Sequence, residues 1–223
     1  MLYETERAAV CEVGRLLYDR GYVAANDGNI SVRVGGDRLL ITPSGVSKGR
    51  MTPDMLLVTD LTGRVVEGDR HPSSEGKMHY AVYAGRPDVR AVVHAHPPVA
   101  TAFAVCRRGL TTPYLAELVV GLGEVPVTPS FAMLSTEEVP DSVRPWLAGH
   151  NALLLANHGA LAWGESLWQA FDRMEIVEHT AKIVENVELL GGGTALTPAE
   201  IERLIGLRGM YRTLAQAPKE DKA

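Results

Sequence analysis

The apolar positions of the chain change period several times, and each change predicts an element. Across residues 4–20, Ala8, Ala9, Cys11, Val13, Leu16 and Leu17 fall near one face of a 3.6-residue repeat, which predicts a helix stopped by Gly21. Residues 29–34 alternate, 35–37 read Gly-Gly-Asp, and 38–41 return, which predicts two strands joined by a turn. Residues 56–58 and 63–66 read as a second pair of short strands. A helix is expected to start at Ser73 or Ser74 and to stop at Gly85-Arg86-Pro87. The apolar run 91–95 reads as a buried strand, and Pro97-Pro98 opens a helix through Ala104. Residues 124–127 and 152–155 are further strand candidates, and Ser135-Thr136-Glu137-Glu138 resembles a capped helix start. Long helical patterns fill 165–190 and 198–213, the second opened by Thr197-Pro198 with Glu200.

No internal repeat or low-complexity linker divides the sequence, so a single domain is expected over residues 1–223, with 216–223 a frayed polar tail. Strand pairs joined by short turns point to antiparallel pairing. The expected fold class is α/β, with helices packed on a mostly antiparallel sheet. An apolar fraction of 46% and a charged fraction of 22% exclude disorder for the chain as a whole. The net charge of -5 comes without a block of like charges, which argues against nucleic acid or membrane as partner. A phosphorylated metabolite would then need a local site and not a global field. With no apolar run of membrane-span length and no signal-like core in residues 1–10, the expected location is cytoplasmic. Cys11 and Cys106 form no Cys-x-x-Cys pair and read as small core hydrophobes.

Candidate chemistry begins at His94-Ala95-His96. Alternate residues of a strand share a face, so the two imidazoles project together. A third, His158, follows the apolar run 153–155 and precedes Gly159. Three imidazoles suit zinc and leave a position open for water or substrate, as catalytic sites do. A lone histidine beside a strand is more often a packed or surface group, and His-x-His alone is only moderately specific. It is the third histidine, also at a strand end, that favours a metal. Pro72-Ser73-Ser74-Glu75 reads either as a helix cap, with Glu75 favoured by the helix dipole, or as an anion site, and the same donors can serve both. The segments 26–29 and 42–45 carry glycine and small polar residues, which fits plain turns or a phosphate cradle. His71, His79, His150 and His179 are set aside, and Trp146, Trp163 and Trp168 read as packing residues.

Taken in order, Gly28-Asn29-Ile30-Ser31-Val32-Arg33, Ile41-Thr42-Pro43-Ser44-Gly45, Pro72-Ser73-Ser74-Glu75, Val93-His94-Ala95-His96 and Asn157-His158-Gly159 resemble the class II aldolase and adducin family, on the branch of L-fuculose-1-phosphate aldolase. The resemblance spans residues 4–213. It implies a three-layer α/β/α fold with a central, mostly antiparallel sheet, and a homotetramer with active sites between subunits. It implies that His94, His96 and His158 hold Zn2+, with Mn2+ or Co2+ as alternatives, and that Glu75 ligates the resting metal and then serves as the base. Asn29, Ser44, Gly45, Ser73 and Ser74 would hold the phosphate of a phosphorylated sugar, and Tyr211 would reach a neighbouring site as the acid. The implied reaction is reversible cleavage of a ketose 1-phosphate to dihydroxyacetone phosphate and a small aldehyde. Alternatives within the family are an epimerase, a methylthioribulose-phosphate dehydratase, a decarboxylase of a phosphorylated sugar acid, and a non-catalytic adducin-like binding module. The chain departs from the family pattern at Asn26-Asp27, where threonine often stands, and at Pro113-Tyr114-Leu115-Ala116-Glu117, which lacks a histidine-tyrosine stretch. The second departure bears on the aldehyde partner.

Overall fold

The computed structural model describes residues 2–216, with side chains as far as Leu207. Helix α1 (Glu4–Asp19) leads into strands β1 (Asn29–Gly35), β2 (Arg38–Ile41), β3 (Leu57–Asp60) and β4 (Val65–Glu67). Helix α2 (Gly76–Gly85), strand β5 (Ala91–Ala95) and helices α3 (Pro98–Val105), α4 (Ala116–Gly121) and α5 (Glu138–Val143) follow. The hairpin of β6 (Ala152–Leu155) and β7 (Gly159–Gly164) precedes α6 (Leu167–Leu189) and α7 (Pro198–Gln216).

Among the described residues the strands form one sheet in the order β4-β3-β2-β1-β5-β7-β6. Every ladder is antiparallel. Strand alternation sorts the core into two layers. On β5, Ala91, Val93 and Ala95 pack with Val10, Val13 and Leu17 of α1 and with Phe171, Met174 and Val177 of α6. Val92, between them, faces the other way and packs with Met78 and Val82 of α2 and Val139 and Val143 of α5. The result is the three-layer α/β/α arrangement of the class II aldolase fold. Helix α2 has 10 residues, too few to be stable alone in water. Burial of side chains such as Met78 and Val82, each contributing about 1.5–3 kcal/mol, is what holds it to the sheet.

Several expectations need correction. Residues 124–127 form no strand, because Val125 and Val127 make only isolated bridges, to Leu110 and Leu154. The hairpin partner of β6 is β7, whose six residues are all buried. With small residues and burial on both faces, β7 shows none of the alternation that marks a half-exposed strand. Helix α2 starts at Gly76, with Glu75 at its N-cap and no capping side chain, so Ser73 and Ser74 lie in the turn before it. The short α4 was not expected. Cys106 is exposed at the end of α3, and Cys11 is half-buried. The last helix does open as expected: Thr197 N–H donates to Glu200 Oε2 at 2.7 Å, and Glu200 N–H returns a bond to Thr197 Oγ1 at 3.4 Å. Among the described residues no helix is long and apolar enough to cross a membrane.

Candidate metal centre and anion pocket

The pairing of β1, β5 and β7 assembles the site. Asn29 lies opposite His94 in the β1–β5 ladder, and His94 lies opposite Leu161 in the β5–β7 ladder. His94 shares the sheet face of Val92, so its ring points into the layer that also holds α2. His96 follows the strand end, where its N–H is tied to Tyr22 O at 2.8 Å. His158 sits in the β6–β7 turn. Asn157 adopts φ 55° there, a left-handed conformation that asparagine tolerates better than most residues.

One donor atom from each of His94, His96 and His158 lies within 4.8 Å of the others. His94 Nδ1 donates to Ala160 O at 2.9 Å, which fixes the tautomer and turns a lone pair on Nε2 toward the cluster. His94 Nε2 and His96 Nε2 are 3.1 Å apart. Two nitrogens on one tetrahedral zinc at 2.0–2.1 Å would be separated by about 3.3 Å, so the spacing suits a single ion. The other nitrogen of His96 faces Asp27, with Nδ1 3.4 Å from Oδ2. Burial pushes His94 well below the ordinary imidazole value and lowers His96 as well, which favours the neutral form that can bind a metal ion.

Glu75, at the start of α2, reaches the same point. Its Oε1 is 2.8 Å from His158 Nε2 and its Oε2 is 3.4 Å from His94 Nε2. Burial alone would raise this carboxyl. The imidazoles of His94 and His158 and the bond from Asn29 outweigh burial and hold it well below the usual carboxylate range. Three imidazoles and an ionised carboxylate are the donor set of a divalent metal of the zinc type.

A cavity of about 260 Å³ opens beside this cluster. Asn29, Ser44, Gly45, Ser73 and Ser74 all line it, together with Glu75, His96 and His158. The turns that carry them are pinned together: Ser44 N–H donates to His71 O at 2.9 Å and Ser73 N–H to Thr42 O at 3.3 Å. Gly28, at φ 70°, lets the first turn pass over β5, since a Cβ there would meet His94 O at 2.7 Å. Ser73 Oγ accepts from Glu75 N–H at 3.3 Å and so braces the turn that presents the carboxylate. Asn29 lines the cavity, yet its amide is also bonded to Glu75 Oε2 at 2.9 Å. Tyr211 falls in α7, beyond the residues whose side chains are described.

His79, set aside in the sequence, is fully buried one helical turn beyond Glu75. Its ring bridges Asn29 Oδ1 at 2.5 Å and Ser31 Oγ at 2.6 Å. The signal was available as spacing: residues 75 and 79 share a helix face, and residues 29 and 31 share a strand face. Lys48 and Asp27 also line the cavity and had no sequence signal beyond polar residues in turns.

A histidine cluster able to hold a metal ion, beside a polar cavity on a three-layer antiparallel scaffold, is the make-up of a metal-dependent lyase, and the family match agrees. The chain belongs to the family described as Class II Aldolase and Adducin N-terminal domain, which matches residues 8–184. Among relatives, it is 35% identical over 183 residues to the 3-oxo-tetronate 4-phosphate decarboxylase of Haemophilus influenzae, covering 80% of this chain and 86% of that protein. It is 32% identical over 181 residues to the L-fuculose phosphate aldolase of Methanococcus maripaludis, covering 80% and 94%. A solved L-fuculose 1-phosphate aldolase superposes with a TM-score of 0.84 at 32% identity, over 92% of this chain and 97% of the other.

Proposed function

We propose that the chain is a zinc-dependent aldolase that reversibly cleaves a ketose 1-phosphate to dihydroxyacetone phosphate and a small aldehyde. The observation that carries this reading is the placement of Glu75: its carboxylate oxygens lie 2.8 Å from His158 Nε2 and 3.4 Å from His94 Nε2, at the edge of the cavity lined by Ser44, Gly45, Ser73 and Ser74. A divalent ion held by His94, His96 and His158 would act as a Lewis acid on the carbonyl and neighbouring hydroxyl oxygens of the substrate. Mn2+ or Co2+ would serve the same donors.

The chain's own residues do the rest. Ser44, Gly45, Ser73, Ser74 and Asn29 hold the phosphoryl end, which places the hydroxymethylene carbon within reach of Glu75. In condensation Glu75 takes a proton from that carbon, and in cleavage it gives one back. Cleavage breaks the C3–C4 bond and leaves its electron pair on C3. The proton lost from the C4 hydroxyl balances the one gained at C3, so no further reactant is needed. Tyr211 from a neighbouring subunit is assigned to the C4 oxygen, within a cytoplasmic homotetramer whose sites lie between subunits. Leu134, which lines the cavity, is exposed together with Phe131 and Met133 of the same segment, and this apolar stretch supports a subunit boundary there.

A second reading is decarboxylation of a phosphorylated 3-oxo sugar acid, favoured by the identity of 35% with a protein named for that reaction. One panel separates the two. Zinc-loaded enzyme is incubated with ribulose 1-phosphate, fuculose 1-phosphate, methylthioribulose 1-phosphate and a 3-oxo-tetronate 4-phosphate. Release of dihydroxyacetone phosphate from a ketose supports the aldolase. Release of carbon dioxide from the acid alone replaces it with the decarboxylase.

A further inference from the structure

Lys48 follows a polar turn, where a lysine is ordinarily solvated, yet it is only 2% exposed. Its ammonium donates to Asn26 O at 3.0 Å and to Val46 O at 2.7 Å. Those carbonyls belong to the two turns, 26–29 and 42–46, that wall the cavity, so one side chain ties both. An ammonium has three donors, and these bonds use two.

Counted over side chains alone, the cavity is acidic without it. Asp27 and Glu75 line the space, and Lys48 is the single lysine or arginine among its described lining residues. A phosphate monoester carries about -1.5 to -2 at neutral pH, so it would approach two carboxylates. Neutral donors are also fewer than the turn sequences suggest, because the N–H groups of Ser44 and Ser73 are spent on His71 O and Thr42 O. Burial lowers the Lys48 pKa to about 8, against the opposing pull of Asp27 and Glu75.

We propose that Lys48 is the charge-selecting residue of the phosphoryl subsite, binding the dianionic end of the substrate and discriminating a phosphorylated sugar from the same sugar without phosphate. This rests on the phosphorylated-substrate reading above. The competing role is purely structural, a strap between two turns.

The test is calorimetric titration of the zinc-loaded full chain with inorganic phosphate. Lys48→Gln retains donors for the turn carbonyls and removes the charge, whereas Lys48→Met removes both. The expected result is phosphate binding by the parent, weakened roughly tenfold to hundredfold in Lys48→Gln, the range for a hydrogen bond to a charged group. Zinc content should stay at the parent level. Lys48→Gln binding phosphate as tightly as the parent would overturn the inference and leave only the strap. A parent that binds no phosphate would overturn the phosphorylated-substrate reading itself, and the inference with it. If both variants fail to fold, the unmodified chain labelled with 13C at lysine Cε decides by NMR. Phosphate should move the Lys48 signal more than those of the other lysines, and a stationary Lys48 signal under saturating phosphate would overturn the inference.

Discussion

Asn29 Nδ2 donates to Glu75 Oε2 across 2.9 Å, and that amide is itself oriented by a buried histidine. An amide oxygen can only accept, so His79 must carry its proton on Nε2, 2.5 Å from Asn29 Oδ1. The other ring nitrogen then accepts from Ser31 Oγ at 2.6 Å. Tyr83 closes the chain by donating to Ser31 O at 2.9 Å. Burial lowers the His79 pKa to about 3, so the ring stays neutral and the direction of the chain does not change near pH 7. Were the Asn29 amide reversed, its oxygen would face the Glu75 carboxylate, a repulsive contact.

His79→Leu should therefore damage turnover more than metal loading. Removing the ring leaves Asn29 Oδ1 without its buried donor and Ser31 Oγ with the Tyr83 hydroxyl alone, a destabilisation of about 1–3 kcal/mol. Release of the Asn29 amide should also misplace Glu75, lowering kcat roughly tenfold to hundredfold. His79→Gln, which can donate to one neighbour and accept from the other, should recover part of kcat. Steady-state kinetics on a cleaved ketose phosphate, with urea melts and zinc analysis, check this. A variant that loses stability while keeping kcat would reduce His79 to a packing residue.

Glu75→Gln separates ligand from base. Glutamine keeps the shape and an oxygen donor but neither the charge nor the basicity. Zinc content should remain near that of the parent, while turnover falls by about 10²–10⁴, the usual range for losing a general base. Deuterium uptake from D2O at the hydroxymethylene carbon of dihydroxyacetone phosphate, read by proton NMR, isolates the proton transfer from the rest of the reaction. Equal loss of zinc and of exchange would contradict the base assignment.

The parts of this site legible in the sequence were those set by period. Alternation over 91–95 put His94 and His96 on one side, and the apolar run before Asn157 put His158 at a strand end. The class of fold followed from short turns between strands. What stayed hidden depends on tertiary packing. Strand β7 is buried on both faces, so Gly159 to Gly164 offered no alternation to read. Lys48 looks like any lysine in a turn until α1 and the neighbouring turns close over it. His79 shares a face with Glu75, but its role exists only because β1 brings Asn29 and Ser31 beneath α2. The Ser73-Ser74 pair read more readily as a cap than as an anion site, and the start of α2 at Gly76 decided against the cap.

Metal removal should cost both activity and stability. A ligand that binds only the folded chain stabilises it by RT ln(1 + [L]/Kd), about 4 kcal/mol at a thousandfold excess over Kd. Dialysis against a chelator should lower the melting temperature and abolish turnover, and stoichiometric zinc should restore both. Elemental analysis of the loaded protein should give about one ion per chain, as three histidines and an open position require. Full activity in protein verified to be metal-free would remove the basis of the lyase mechanism.

Gly159 sets how closely β7 can approach the histidine cluster. A Cβ at this position would lie 2.5 Å from His96 Cδ2 and 2.6 Å from Ala95 O. The second contact is with backbone of the central strand, which cannot move aside without disturbing the β5–β7 ladder. Gly159→Ala should therefore displace His96 and weaken zinc by tenfold or more, on the order of 1.4 kcal/mol or greater. Overpacking should add a stability loss of about 1–3 kcal/mol. Gly149→Ala is the control, because a Cβ there meets nothing within 4 Å. Competition with a chromogenic chelator gives the zinc affinity of each variant. If Gly159→Ala binds zinc as the control does, His96 is not held by the close approach of β7, and the three-histidine geometry loses one of its supports.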